Sequence, residues 1–415
     1  MKQKFSGMQR RVVFVCTFAY IIAYCNRFNL SAVLGQLGTA LCITSAQAGL
    51  IQTCFALSYA AGQLVNGLFV DRVKPVRHMV TGVCVACVCN ILMGIVARYP
   101  ALLALSLLNG AGQSMIWTPI VRMLAHYFPD ERQRRRANAI HSFAVVFGHL
   151  AAWASSGVLA SVVGWRLSFI APGTAGLGGV LLIGWLMRNQ RQGGAHASAA
   201  VAAASWGAAW RCFARTGLIL IFIASMLYGF VRDCIVTWAP TLLGDASGGN
   251  MLSSTALSLI IPLLNAAGIA LGYALRERKN QSNRRVTALL MGCVALFSLP
   301  LLFVRGMLPM ALLMGCACAC MYGLNPILTA LIPLEYERAG CIALCAGLIE
   351  SFIYAGSSLS GVTGGAIYES MGTVPLYACW ILSALAASLL LRLAGGKRFT
   401  RLLEPQEAVN KAPGQ

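Results

Sequence analysis

The sequence predicts an all-α membrane protein of twelve transmembrane helices in two pseudo-symmetric halves, and three observations predict it. First, 58% of its 415 residues are hydrophobic and only 11% are charged, too few charges to solvate a soluble surface of that size. Second, apolar runs of about 20 residues, the length that crosses a ~30 Å hydrocarbon core, recur twelve times along the chain. Third, Arg27 and Arg232 stand deep inside two of these runs at an offset of 205 residues, and the same offset carries Gly67 onto Gly272, each opening a basic loop. Such a shift marks two parallel structural repeats.

The distribution of charge fixes the orientation. Of the 32 Lys and Arg, twenty-six fall on the N-terminus, the alternate loops and the tail; three (Arg98, Arg166, Arg305) fall on the opposite loops and three (Arg27, Arg122, Arg232) within spans. This is the positive-inside pattern, with both termini cytoplasmic in the cell (inner) membrane. The net charge of +20 therefore reads as orientation and attraction to anionic lipid, not as nucleic-acid binding. The sixteen cysteines, such as Cys84, Cys87 and Cys89 or Cys316, Cys318 and Cys320, scatter round helices without neighbouring histidines, which fits helix packing rather than a zinc site. No signal-peptide cleavage motif follows the basic N-terminus. The sequence holds no nucleophile and base pair and no metal-ligand cluster, so neither an enzyme nor a cofactor is expected.

The elements follow in order. The first span covers about residues 12–34 and ends in a charge-free loop, 35–45. The second, 46–70, closes on Gly67-Leu-Phe-Val-Asp71-Arg72-Val-Lys74-Pro75-Val-Arg77, a tight turn whose aspartate and arginines can clamp neighbouring helix ends. Span 3 covers 78–97. Span 4, 100–127, contains Asn109-Gly-Ala-Gly-Gln113-Ser-Met-Ile-Trp117-Thr-Pro119-Ile-Val-Arg122; its glycines permit close helix approach, and Pro119 frees a carbonyl that neighbours must satisfy. A strongly basic loop, 130–136, precedes spans 5 (137–163) and 6 (165–187). Residues 188–214 turn to Ala, Gly and Ser. They are too weakly apolar for a thirteenth span, which would also break the charge alternation. They are expected to form a cytoplasmic linker, with 204–213, carrying Trp206 and Trp210, on the membrane surface. Spans 7 to 12 follow at 217–243, 252–275, 286–303, 308–332, 341–367 and 374–391. The chain thus divides into a six-helix half (1–187), the linker (188–214), a second six-helix half (215–393) and a polar cytoplasmic tail (394–415).

Two arginines inside apolar spans are the leading functional candidates, because a charge at that depth costs several kcal/mol unless something uses it. The planar fork of a guanidinium matches a phosphate or carboxylate and keeps its charge at any physiological pH. Arg27 and Arg232 are expected to meet at the pseudo-symmetry axis and hold one small anionic substrate between them. Asp233 follows Arg232 directly and projects about 100° away on an ideal helix; a coupling role and a structural ion pair both fit it. Glu350, in span 11, fits either a proton carrier or the partner of a helix-end arginine. Arg122, in the last turns of span 4, fits a helix-end role. His141 and His149 share a face of span 5 and fit either an anion donor or packing. Tyr24, Gln63, Trp117, Tyr228 and Asn325 are candidates to line the cavity.

The spacing from Gly67 to Arg72, with Pro75 and Arg77 after it, resembles the loop signature of the major facilitator superfamily. Together with arginine in spans 1 and 7, with Asn109-Gly, Gln113, Trp117-Thr-Pro119 and Arg122, and with Trp238-Ala-Pro240-Thr-Leu-Leu after Arg232, it resembles the organophosphate:phosphate antiporters, which include glycerol-3-phosphate and hexose-phosphate transporters. The resemblance implies a major facilitator fold whose two bundles rock about a central site. It implies that Arg27 and Arg232 bind a substrate phosphate exchanged for inorganic phosphate. Asp71 and Arg72 are candidates for coupling or gating, no cofactor is expected, and the chain is expected to act as a monomer. The sequence departs from that pattern at Gln63, where the family has a lysine, at Val145, where it has a histidine, and at Asp233, where it has no acid. These departures leave a less positive site and admit a carboxylate or a singly charged phosphoester. The stretch from Asn26 to Val33 also resembles the anion:cation symporters of organic acids, and some relatives of the antiporters are sugar-phosphate sensors. A proton-coupled organic carboxylate or sugar-acid symporter, using Glu350 or Asp233, and a non-transporting sensor therefore stand beside the exchanger.

Overall fold

The computed structural model describes residues 5–69, 73–188, 206–277, 282–336 and 341–395, and among them the chain is helical with no strand. The first half contains α1 (Gly7–Leu41), α2 (Ser45–Phe69), α3 (Pro75–Ile95), α4 (Tyr99–Tyr127), α5 (Glu131–Val162) and α6 (Leu167–Met187). A short helix, α7 (Trp206–Arg215), precedes the second half. That half contains α8 (Leu218–Ala246), the pair α9 (Met251–Ser258) and α10 (Ile260–Glu277), α11 (Asn283–Ser298), α12 (Met307–Pro326) with its extension α13 (Ile332–Leu334), α14 (Ile342–Met371) and α15 (Thr373–Ala394). Nine segments among the described residues are long and apolar enough to cross a membrane. The other long helices, α2, α4 and α14, carry Gly, Ser and Thr where they meet other helices. Small and polar residues of that kind allow close approach and interhelical hydrogen bonds.

Several boundaries differ from those the sequence suggests. The loop expected at 35–45 is mostly helix, since α1 runs to Leu41 and turns at Cys42, whose φ of 52° is left-handed. Gly35 packs its backbone against Thr241 of α8, so this low-hydropathy stretch has a protein neighbour instead of water. The basic stretch expected as a loop at 130–136 is the first turn of α5, because the Asp130 carboxylate accepts the Gln133 N–H at 2.8 Å and caps it. Span 8 is interrupted between α9 and α10: Pro262 has no N–H for the carbonyl one turn earlier. Span 9 ends in a 3₁₀ turn, Leu299–Leu302, that contains Pro300, and span 10 passes through a π turn, Ile327–Leu331, immediately after Pro326.

The same pairings build both halves. In the first, α1 packs on α5 and α6, α2 on α4, and α3 on α4 and α6; in the second, α8 packs on α14 and α15, α10 on α12, and α11 on α12 and α15. Each helix is replaced by its counterpart six spans later. Glycine sets the distance at the tightest crossings: a Cβ on Gly268 of α10 would lie 2.0 Å from the Ala319 carbonyl of α12. At the foot of the second half, buried Arg284 donates to Glu335 at 3.1 Å, to the Thr216 and Ala394 carbonyls at 2.8 and 2.7 Å, and to the Tyr336 hydroxyl at 3.1 Å. It ties the starts of α8 and α11 to the ends of α13 and α15.

The halves approach one another most closely at the end that carries the α1–α2 turn. A Cβ on Gly49 of α2 would lie 2.0 Å from the Gly361 carbonyl of α14, and one on Gly157 of α5 would lie 2.1 Å from the Thr255 hydroxyl of α9. The Thr53 hydroxyl donates to the Ser358 carbonyl at 2.6 Å.

Gly268→Ala is expected to cost about 1–3 kcal/mol through overpacking, read as a lower melting temperature in detergent. Gly178→Ala, whose Cβ meets nothing within 4 Å, should leave it unchanged.

Candidate functional site

Arg27 is held by aromatic faces. Its Cζ lies 5.1 Å from the Phe28 ring, 4.9 Å from Phe55, 5.2 Å from Tyr59 and 5.6 Å from Tyr354. It is buried, with 9% exposure, and among the described residues its Nε has no hydrogen-bond partner and it makes no ion pair. A desolvated cation over aromatic rings gains about 2 kcal/mol per good contact. That attraction holds the guanidinium without using its donors. The backbone beside it is fixed separately. The Asn26 carbonyl accepts from Asn90 at 2.8 Å, Asn109 at 3.1 Å and Gln113 at 3.3 Å, while Asn29 donates to Asn90 at 2.7 Å and to the Ser168 carbonyl at 3.1 Å. Amides from α3 and α4 thus clamp α1 at the peptide next to Arg27, and Asn29 adds α6.

Arg232 is held by an acid. Its Nε donates to Asp233 Oδ1 at 2.7 Å and its Nη2 to Oδ2 at 3.2 Å. The adjacent side chains meet despite the separation an ideal helix gives their Cα–Cβ directions, because the arginine side chain is long and flexible and two buried opposite charges attract strongly. The Ser357 hydroxyl of α14 also donates to Asp233. The remaining nitrogen, Nη1, donates to the Tyr228 hydroxyl at 3.4 Å, and the single Tyr228 O–H faces two acceptors, Asn325 Oδ1 at 3.0 Å and the Met321 carbonyl at 3.3 Å. Asn325 precedes the π turn, an irregularity frequent at functional sites.

One ring joins the two halves of the site. Tyr354 of α14 lies 5.6 Å from the Arg27 Cζ and 6.0 Å from the Arg232 Cζ, and packs at a tilt on Tyr59 of α2, the ring centroids 4.5 Å apart. Glu350 lies one turn before Tyr354, is partly buried, and feels the charge of Arg232 and Arg27; no hydrogen bond or ion pair engages it among the described residues.

The structure therefore gathers Arg27, Arg232, Asp233, Tyr228, Asn325 and Glu350. Tyr24 sits beside Phe28, the ring centroids 5.0 Å apart. His141 and Trp117 pack on Tyr20, at 5.1 and 5.6 Å, two turns along α1 from Arg27, and Tyr20 packs in turn on Tyr24 at 5.0 Å, so the aromatic contacts run on to Phe28 beside Arg27. His149 stacks on Phe28 at 4.2 Å, and among the described residues neither ring nitrogen of His141 or His149 has a hydrogen-bond partner. Gln63 lies one turn beyond Tyr59 and makes no hydrogen bond among the described residues. Asp71 and Arg72 lie outside the described residues. Sequence reasoning missed Tyr354, Tyr59 and Ser357. The signal for Tyr354 was its i+4 spacing from Glu350, which places both on one face of α14. A cavity of about 530 Å³ lies between the halves near the α1–α2 end, lined by Gln36, Trp153, Thr241, Asp245 and Thr255 among others; its lining carries no cation.

The family model for the Major Facilitator Superfamily matches residues 16–344. The chain is 26% identical over 302 residues to the probable sulfoacetate transporter SauU of Cupriavidus necator, a match covering 69% of each. It is 24% identical over 173 residues to a probable hexose phosphate transport protein of Chlamydia muridarum, covering 42% of this chain and 38% of that one. Among solved structures, a bacterial homologue of the human lysosomal transporter Spinster superposes with a TM-score of 0.71 at 17% identity, covering 96% of this chain and 97% of that chain. The shared fold extends over nearly the entire chain.

Tyr354→Leu is expected to destabilise the protein by about 1–2 kcal/mol by removing the ring between the cations, whereas Tyr354→Phe keeps the ring and should unfold near the wild-type temperature. Equal losses in the two variants would assign the stabilisation to the hydroxyl instead.

Proposed function

The chain belongs to the Major Facilitator Superfamily, and from that premise we propose that it is a secondary transporter of a small organic anion, held between Arg27 and Arg232. The observation that carries the reading is the pair of guanidiniums, one from each half, flanking the Tyr354 ring at 5.6 and 6.0 Å. An anion there would bridge the halves. In this reading residues 1–187 and 215–393 rock as two bundles about the site, and the chain works as a monomer in the cell membrane with both termini cytoplasmic. The close approaches at the α1–α2 end then seal the outer face.

Two anion classes fit the pair. An organic phosphate exchanged for inorganic phosphate suits two free guanidiniums, and a relative named as a hexose phosphate transport protein supports it. A singly charged carboxylate or sulfonate suits a site that already contains an acid, and a relative named as a sulfoacetate transporter supports that. The bidentate Arg232–Asp233 pair favours the second class. Glu350, with no fixed partner, then supplies the proton that accompanies the anion.

Reconstituted vesicles separate the classes. Uptake of sulfoacetate or a sugar acid abolished by a protonophore and indifferent to internal phosphate is expected; acceleration of glucose 6-phosphate uptake by internal phosphate would favour exchange. Arg27→Lys and Arg232→Lys are each expected to abolish transport with expression intact, because an ammonium cannot reproduce the bidentate fork. Full activity in either variant would contradict the proposal.

A further inference from the structure

The empty site poses an electrostatic problem that the Arg232–Asp233 pair answers. When both ends close around a substrate-free site, water is withdrawn, and an uncompensated guanidinium then costs several kcal/mol. A carrier with two bare arginines meets that cost twice each time it changes conformation empty. Such a protein is confined to exchange, because only a bound anion relieves the charge.

We propose that Asp233 is a built-in counter-ion that fills the Arg232 fork whenever no substrate is bound, so that the empty protein changes conformation freely and carries out net transport instead of obligatory exchange. The inference rests on the anion-site reading above and adds to it how the empty site is neutralised. Three observations support it. The carboxylate meets the fork with both oxygens, at 2.7 and 3.2 Å, and it is only 4% exposed. Ser357, from the facing helix α14, donates to the same carboxylate, so the acid is positioned by the fold and not by Arg232 alone. Charge balance completes the case: the charged groups gathered at the site are Arg27, Arg232, Asp233 and Glu350, and with both acids ionised they sum to zero. Arg27, whose donors no acid occupies, is left as the first point of contact for an incoming anion. That anion then competes with Asp233 for Arg232, which disfavours a doubly charged ligand.

The test reads the conformation of the empty, full-length protein in nanodiscs. Spin labels are placed at Thr44 and Ser370 through an unnatural amino acid, since sixteen native cysteines rule out thiol labelling, and distances are read by electron–electron double resonance. Without added anion the wild type should populate two distances. Asp233→Asn should lose the minor population by at least about tenfold, the shift that about 1.4 kcal/mol produces. The double variant Arg232→Gln with Asp233→Asn, neutral again, should recover both populations although it cannot bind an anion at that position. If Asp233→Asn does not fold, Arg232→Gln alone leaves the acid bare, and the double variant should rescue it in the same way. Two populations in Asp233→Asn, a single one in the wild type, or no rescue by the double variant would each overturn the proposal. The anion-site reading fails separately, if neither sulfoacetate nor glucose 6-phosphate shifts the wild-type populations.

Discussion

A guanidinium in the middle of a membrane must find compensation there, and the architecture of this protein follows from meeting that requirement twice in different ways. Arg27 is surrounded by four aromatic rings from α1, α2 and α14. They stabilise its charge while leaving its hydrogen-bond donors unused. Arg232 receives a carboxylate from the next residue in its own helix. The first arrangement keeps a cation available; the second neutralises one. Two repeats with the same helix pairings thus place two chemically unequal cations on either side of one tyrosine.

The packing serves that placement. Asn26 and Asn29 bracket Arg27 and bind amides and a carbonyl from α3, α4 and α6, so the orientation of α1 about its own axis is set at the residue that matters. In the second half, Asp233 receives Ser357 from α14, while Tyr228 and Asn325 link Arg232 to α12. Buried polar networks inside a membrane carry about 0.6 kcal/mol per hydrogen bond on average, too little to drive folding singly but enough to select one rotation of a helix over another. The close glycine contacts provide the complementary constraint of distance.

Much of this was legible in the sequence. The apolar period locates the spans, the 205-residue offset relates Arg27 to Arg232, and depth within an apolar run singles out both arginines. What was not legible depends on partners distant in the chain. Hydropathy stops α1 near Leu34, but contact with α8 carries it to Leu41. An ideal helix turns Asp233 away from Arg232, but buried opposite charges bend the side chains together. Tyr354 reads as an ordinary aromatic until α14 is seen to lie between the arginines. Nor does the sequence show that His141 and Trp117 join α1 through Tyr20, whose ring packs on Tyr24. The breaks at Pro262 and Pro326 follow local rules, but hydropathy alone runs through them.

The central claim is that one anion bridges the two halves at the arginine pair. Cryo-electron microscopy of the full chain with sulfoacetate, and separately with glucose 6-phosphate, tests it most directly. Ligand density is expected beside the Tyr354 ring, within hydrogen-bonding reach of both the Arg27 and Arg232 guanidiniums. Density confined to the cavity of about 530 Å³ lined by Gln36 and Asp245, or touching one arginine only, would contradict it.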